Sequence, residues 1–233
     1  MLFFFAIGPD NYGQQAILNQ YGLWVISSDS DYQATIIKDP AKEMVDIKTM
    51  VPKITFDLRY SQNNNFTKVK LYPTLKTSFL RRPVAISVAA VQNELRQQGL
   101  GLKIFDAYRP YSVTEKMWLI VKDDRYAADP KNGSGHNRGI AVDLTIINMK
   151  TKMELNMGTD FDNFSDTAHH IFSSLPAEVL QNRLLLRRLM EKNGFKPLET
   201  EWWHYSYADG TAFELMDISF ETLEKRKKKA VTR

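Results

Sequence analysis

The chain has 233 residues, of which 43% are apolar and 25% charged, and it contains no cysteine. That length and balance suit a globular protein with a substantial core. They exclude disulfides, thiol nucleophiles and thiolate ligands, and no stretch reaches the roughly 18 to 20 apolar residues that cross a membrane.

The formal charge of +4 and pI of about 9.1 arise at the end of the chain. Lys225, Arg226, Lys227, Lys228, Lys229 and Arg233 fall within the last nine residues, and the other 25 basic residues face 27 acidic ones. A nearly neutral body gives no sign of a nucleic-acid partner. Residues 223–233 read as a basic, solvated and frayed tail.

At the other end, Met1-Leu-Phe-Phe-Phe-Ala-Ile-Gly8 is apolar. Residues 1–22 read as an N-terminal segment carrying a secretory-signal remnant without its basic region, which implies a periplasmic or secreted protein. The alternative is a buried first strand in a cytoplasmic protein. Residues 23–222 contain no repeat or linker and read as one domain.

Leu23 to Ser27 predicts a short strand, and Ile54, Phe56 and Leu58 alternate with polar residues as in a half-buried strand. Ser61 to Thr67, with three consecutive Asn, is a loop. Pro83 to Gln98 predicts a helix, with Val84, Val88, Val91 and Leu95 on one face and Gly99 beyond its end. Leu102 to Tyr108 reads as a strand stopped by Pro110. Ser112-Val-Thr-Glu115 has the form of a capping box for a helix reaching about Lys122.

Asn132-Gly-Ser-Gly-His136 is a turn, and Ile140, Val142, Leu144 and Ile146 alternate as a strand. Met157 to Asp166 is a Gly/Asp/Asn-rich loop. Pro176 to Asn193 predicts a helix with Leu180, Leu184, Leu185 and Leu189 inward and Gly194 as its stop. Strands over 202–207 and 213–218 predict an antiparallel hairpin around Asp209-Gly210. The class is α+β.

His136 and Asp143 stand at the two ends of the turn-and-strand stretch, and Glu201 precedes His204 by three residues. Each histidine alone suits a hydrogen-bonded or surface role. Together with Asp143 they suggest a three-ligand metal site with an open position for water, and Glu201 as a base outside the ligand set. Residues three apart on a flat strand face opposite ways, so Glu201 must lie before the strand or at a bulge. Arg109, at a strand end, suits either oxyanion stabilisation or a structural salt bridge. Asp162 suits a substrate ammonium or a solvated turn, and Trp202 and Trp203 suit core and pocket wall. Ser134 lies between glycines without a nucleophile elbow, and H-E-x-x-H, P-loop and G-x-G-x-x-G motifs are absent.

Ser134-Gly-His136-Asn-Arg-Gly139-Ile-Ala141-Val-Asp143 resembles the S-x-H-x-x-G-x-A-x-D signature of the zinc D,D-peptidases. Glu201-Trp-Trp-His204 resembles the E-W-W-H form of the VanX-like D-alanyl-D-alanine dipeptidases, where related carboxypeptidases carry E-P-W-H. Asp57-Leu-Arg-Tyr60 followed by Asn65-Phe-Thr, Ala107-Tyr-Arg-Pro110, Met157-Gly-Thr-Asp-Phe-Asp162, and the Asn182-Arg and Asn193-Gly-Phe195 segments agree with it, so the resemblance spans about residues 45–208.

The resemblance implies one Zn²⁺ per chain on His136, Asp143 and His204, Glu201 as general base and acid, and Arg109 polarising the carbonyl. It places Asp162 at the substrate's amino end and Ser134 in the pocket wall. It leaves His169 and His170 without a role. The implied fold is a single α+β domain with a central, mainly antiparallel sheet flanked by helices, shared with hedgehog-type domains.

The implied activity is hydrolysis of the D-alanyl-D-alanine dipeptide to two D-alanines. A D,D- or L,D-carboxypeptidase acting on peptidoglycan stems is the enzymatic alternative, and a non-catalytic zinc-stabilised binding module the other. The partner is a small dipeptide, with no nucleic acid and no stable membrane insertion. Nothing in the sequence specifies an oligomeric state or a physiological role.

Overall fold

A computed structural model describes residues 18–123, 127–208 and 210–231. The apolar stretch Met1 to Gly8 and Asp209 of the expected hairpin turn lie outside the described residues. In chain order the elements are β1 (Val25–Ile26), α1 (Asp29–Lys38), β2 (Met44–Asp46), α2 (Ile47–Met50), β3 (Thr55–Phe56) and β4 (Phe79–Arg81). They continue with α3 (Arg82–Arg96), β5 (Leu100–Asp106), α4 (Tyr111–Ile120), β6 (Ala141–Asn148) and α5 (Ala177–Lys192). The chain closes with β7 (Phe195–Leu198), β8 (Glu201–Tyr207), β9 (Leu215–Met216) and α6 (Phe220–Val231). No helix among the described residues is long and apolar enough to cross a membrane.

Among the described residues the main sheet has five strands in the order β3-β5-β6-β8-β7. Only the β3–β5 pair is parallel. The class is therefore α+β, with a central, mainly antiparallel sheet flanked by helices. Strand β6 lies at its centre and is buried on both faces through Ile147, so its alternation does not mark a wet side. Helix α3 forms as its pattern predicts: Pro83 lies in its first turn, Val84, Val88, Val91 and Leu95 are fully buried, and Gly99 turns the chain at φ +72°.

Several expectations require correction. Strand β3 is shorter than the Ile54–Tyr60 pattern, because residues 59–61 turn into a 3₁₀ helix. The expected hairpin does not form: β9 pairs in parallel with β1 instead of returning on β8. Ser112 and Glu115 do not box the start of α4. The backbone N–H of Ser112 donates to Asp217 Oδ1 at 2.9 Å, so a side chain 105 residues away supplies the cap. Helix α5 buries Val179, Arg183, Leu186, Leu189 and Met190, while Leu184 faces solvent.

The basic residues at the end do not all lie in a solvated tail. Phe220 and Leu223 bury one side of α6. Arg226 pairs with Asp29 and Gln33 and sits over the Tyr32 ring, and Lys227 Nζ is 2.7 Å from Asp46 Oδ2.

Candidate metal centre

The site grows from the register of the central strands. Asp143 and His204 are direct partners across the antiparallel β6–β8 ladder, so their side chains leave the sheet on one face. His204 Nδ1 comes within 2.9 Å of Asp143 Oδ1. A register shift between Ile104 and Asp106 sets Asp106 opposite Asp143 on the other side of β6.

His136 arrives from the turn before β6. Gly139, at φ +70°, gives that turn a conformation that a side chain disfavours. The backbone of Gly135 accepts from Ile140 and Ala141, and Ser134 Oγ accepts from the His136 N–H at 3.0 Å. Asn137 fastens the turn to its neighbours by donating to Arg109 O at 2.9 Å and Thr114 Oγ1 at 2.8 Å.

Three side chains converge. His136 Nε2 is 3.5 Å from Asp143 Oδ2 and 3.2 Å from His204 Nδ1. The ligand atoms of His136, Asp143 and His204 all lie within 4.8 Å of one another. The outer contacts suit a metal as well. His136 Nδ1 is 2.7 Å from Ala107 O, so it carries the proton and Nε2 keeps its lone pair for the centre. His204 Nε2 is 3.2 Å from Ser206 Oγ, leaving Nδ1 for the ligand role. Two imidazoles and a carboxylate with no thiolate match the donor set of a hydrolytic zinc site.

Glu201 shares the face of His204, with Oε2 3.9 Å from His204 Nδ1. The flat-strand objection is met by an irregularity at the sheet edge. Pro197 of β7 pairs with Tyr205, but the next residue, Leu198, pairs with Glu201, so residues 202–204 have no partner on β7. The bulge turns Glu201 back toward the ligands. Burial, reinforced by the negative charge of Asp143, pushes the Glu201 carboxyl up to about 7. Burial works against the Asp143 carboxylate too, but His136 and His204 overcome it and hold Asp143 well below the ordinary range.

Arg109 also lines this cavity, which has a volume of about 590 Å³. Its Nε and Nη2 donate to Asp106 Oδ2 at 3.1 and 2.8 Å, and its guanidinium sits 5.1 Å from the Tyr60 ring centroid. Tyr72 donates to the same Asp106 carboxylate. Asp162 lines the same cavity with a left-handed backbone, φ +60°, and accepts from Tyr60 Oη at 3.1 Å. Its other oxygen, Oδ2, is buried without a partner among the described residues. Burial, with Asp143 next, raises its carboxyl to about 8.

Ser134, Trp203 and His169 are further lining residues. Trp202 points away and donates to Thr159 Oγ1 at 2.8 Å. His170 lies outside the cavity lining and packs on Tyr205. The structure thus gathers all seven singled-out residues: Ser134, His136, Asp143, Asp162, Glu201, His204 and Arg109.

Sequence reasoning missed Asp106 and Phe164, and marked Phe66 only as part of the family-like Asn65-Phe-Thr segment, not as cavity wall. Asp106 carried a readable signal, a carboxylate three residues before Arg109 at the end of an apolar strand.

The profile of the M15 peptidase family, described as D-ala-D-ala dipeptidase, matches residues 40–223. The chain belongs to this family. The protein is similar to the D-alanyl-D-alanine dipeptidase of Escherichia coli (strain K12), at 31% identity over 76% of this chain and 91% of that protein. Proteins of the same description from Enterococcus faecalis (strain ATCC 700802 / V583) and Enterococcus faecium are 27% and 28% identical, each over 69% of this chain and 89% of its own length. Family membership and the His-Asp-His cluster together make the protein a zinc-dependent metallopeptidase.

Proposed function

We propose that the protein is a dipeptidase that hydrolyses D-alanyl-D-alanine to two D-alanines, with one zinc ion held by His136, Asp143 and His204. The observation that carries this reading is the Glu201 carboxylate, which faces the ligand cluster from the bulge of β8, 3.9 Å from His204. A carboxylate beside a three-ligand site, and not needed to complete it, is the layout of a base. The descriptions of the three relatives support the choice of substrate.

Zinc, when bound, supplies a Lewis acid and lowers the pKa of a coordinated water to about 7. Glu201 takes the proton of the attacking water and passes it to the leaving amine. Its raised proton affinity suits both transfers. Arg109 stabilises the negative charge that develops on the scissile carbonyl oxygen, its direction fixed by Asp106 and its face by Tyr60. Asp162 Oδ2 receives the substrate ammonium, a counter-charge for a buried and unpartnered oxygen. Ser134 holds the His136 backbone and lines the wall beside it.

Substrate length tests the reading. The zinc-loaded protein is offered free D-alanyl-D-alanine and a pentapeptide stem ending in the same two residues, and released D-alanine is measured. Release from the dipeptide with little from the pentapeptide is expected. Faster release from the pentapeptide would assign a carboxypeptidase.

A further inference from the structure

Two loops far apart in sequence meet at one wall of the cavity, and each is fixed by one buried polar side chain that takes three backbone carbonyls. In the first loop Asn65, 5% exposed, places Nδ2 2.7 Å from Gln62 O, 2.9 Å from Val69 O and 3.2 Å from Arg59 O. Its Oδ1 accepts from the Thr67 N–H and hydroxyl. In the second loop Arg183 of α5, 4% exposed, donates to Met157 O at 2.7 Å, Thr167 O at 2.9 Å and His169 O at 3.1 Å. Burying such groups is tolerated because their hydrogen bonds are met, and the loops are held in one conformation as a result.

What the two loops present to the cavity is a pair of rings. Phe66 and Phe164 both line it, and their centroids are 5.4 Å apart in an edge-to-face arrangement. Tyr60 extends the contact: its ring meets Phe66 at 6.0 Å, and its hydroxyl donates to Asp162 at 3.1 Å. The polar pin and the aromatic pin therefore join the same two loops, and Phe164 follows Asp162 by two residues.

We infer that the Phe66–Phe164 contact is a fixed gate that closes the amino side of the cavity and sets substrate length by excluding peptides extended at that end. The inference rests on the dipeptidase reading, since it takes Asp162 as the seat of the substrate ammonium. A residue joined to that nitrogen would run past Asp162 into the two rings. It would also replace the ammonium by a neutral amide, leaving Asp162 without its counter-charge. Shape and charge thus act against the longer peptide together, and Phe164 governs the first of these.

The test compares kcat/KM of the zinc enzyme for D-alanyl-D-alanine and for a tripeptide with one further residue on its amino side. The ratio of tripeptide to dipeptide rises about tenfold or more in Phe164→Ala, the scale on which a pocket discriminates a missing apolar group. Phe164→Leu, which refills most of the volume, moves it less. Circular dichroism establishes that the variants are folded, and Phe66→Ala, which opens the same contact from the other loop, shifts the ratio in the same direction.

An unchanged ratio in folded Phe164→Ala and Phe66→Ala would overturn the gate while leaving the dipeptidase reading intact, whereas wild-type enzyme cleaving both peptides equally well would overturn both. Wild-type enzyme inactive on both peptides would contradict the dipeptidase reading and the gate with it.

Discussion

Asp106 meets three side chains from one buried position. It accepts two hydrogen bonds from Arg109 and the Tyr72 hydroxyl, and it lies 3.8 Å from His136 Nδ1. Its removal leaves the Arg109 guanidinium buried and uncompensated, a change that costs about 3–5 kcal/mol. Asp106→Ala is expected to show that loss in urea unfolding of the metal-free protein.

His170 offers a pH-dependent counterpart. Burial, helped by nearby Arg187, lowers its pKa to about 4, and its Nε2 has no partner among the described residues. Between its unfolded value of about 6.5 and 4, the unfolded chain binds a proton that the folded chain refuses. The stability contributed by neutral His170 is therefore complete above about pH 6.5 and falls as the pH drops toward 4. His170→Gln is expected to flatten the fall in melting temperature between pH 7 and pH 5, and an identical slope in the variant would contradict the assignment.

At this scale the sequence displayed the groups whose spacing is set by chemistry: His136, Asp143, Glu201 and His204. It concealed Asp106, and it marked the Asn65-Phe-Thr and Asn182-Arg segments as family-like without showing what Asn65 and Arg183 hold, because their partners are backbone carbonyls assembled only by folding.

Among the elements, helices and central strands were the most legible, because their apolar periods repeat over several turns or pairs. Helix α3 buries the four residues its pattern marked. The failures fall where a distant segment displaced a local signal. Asp217 caps α4 in place of Ser112, and Arg183 shares the inward face of α5 with Leu189 while Leu184 faces solvent. Strand β9 pairs with β1, since a residue pattern marks a strand without naming its partner.

The capping difference is measurable. Asp217→Ala is expected to cost about 1 kcal/mol, the usual worth of a helix N-cap, while Ser112→Ala costs much less. Equal losses in the two variants, read as denaturant midpoints at constant m, would restore the local box.

For the molecule as a whole, the strand pairings and the metal site are one arrangement. The β6–β8 register brings Asp143 to His204, the turn before β6 supplies His136, and the bulge between β7 and β8 supplies Glu201. A ligand that binds only the folded form raises stability by about 2.7 kcal/mol at one hundred times its Kd. Chelation is therefore expected to lower the melting temperature, and added zinc to restore it. His136→Ala should lose this response.

The overall class was legible because the site motifs sit on elements with clear periods. The α6 clamp was not, because its lysines and arginines looked solvated until Asp29, Asp46 and Tyr32 were placed beside them.

The central claim is that Glu201 moves the proton while three other side chains hold the metal. It is tested most directly by measuring zinc content and D-alanyl-D-alanine turnover in wild-type protein and Glu201→Ala. The expected result is about one zinc per chain in both, with turnover in the variant reduced by about 10²- to 10⁴-fold. Wild-type turnover in a zinc-loaded Glu201→Ala protein would contradict it.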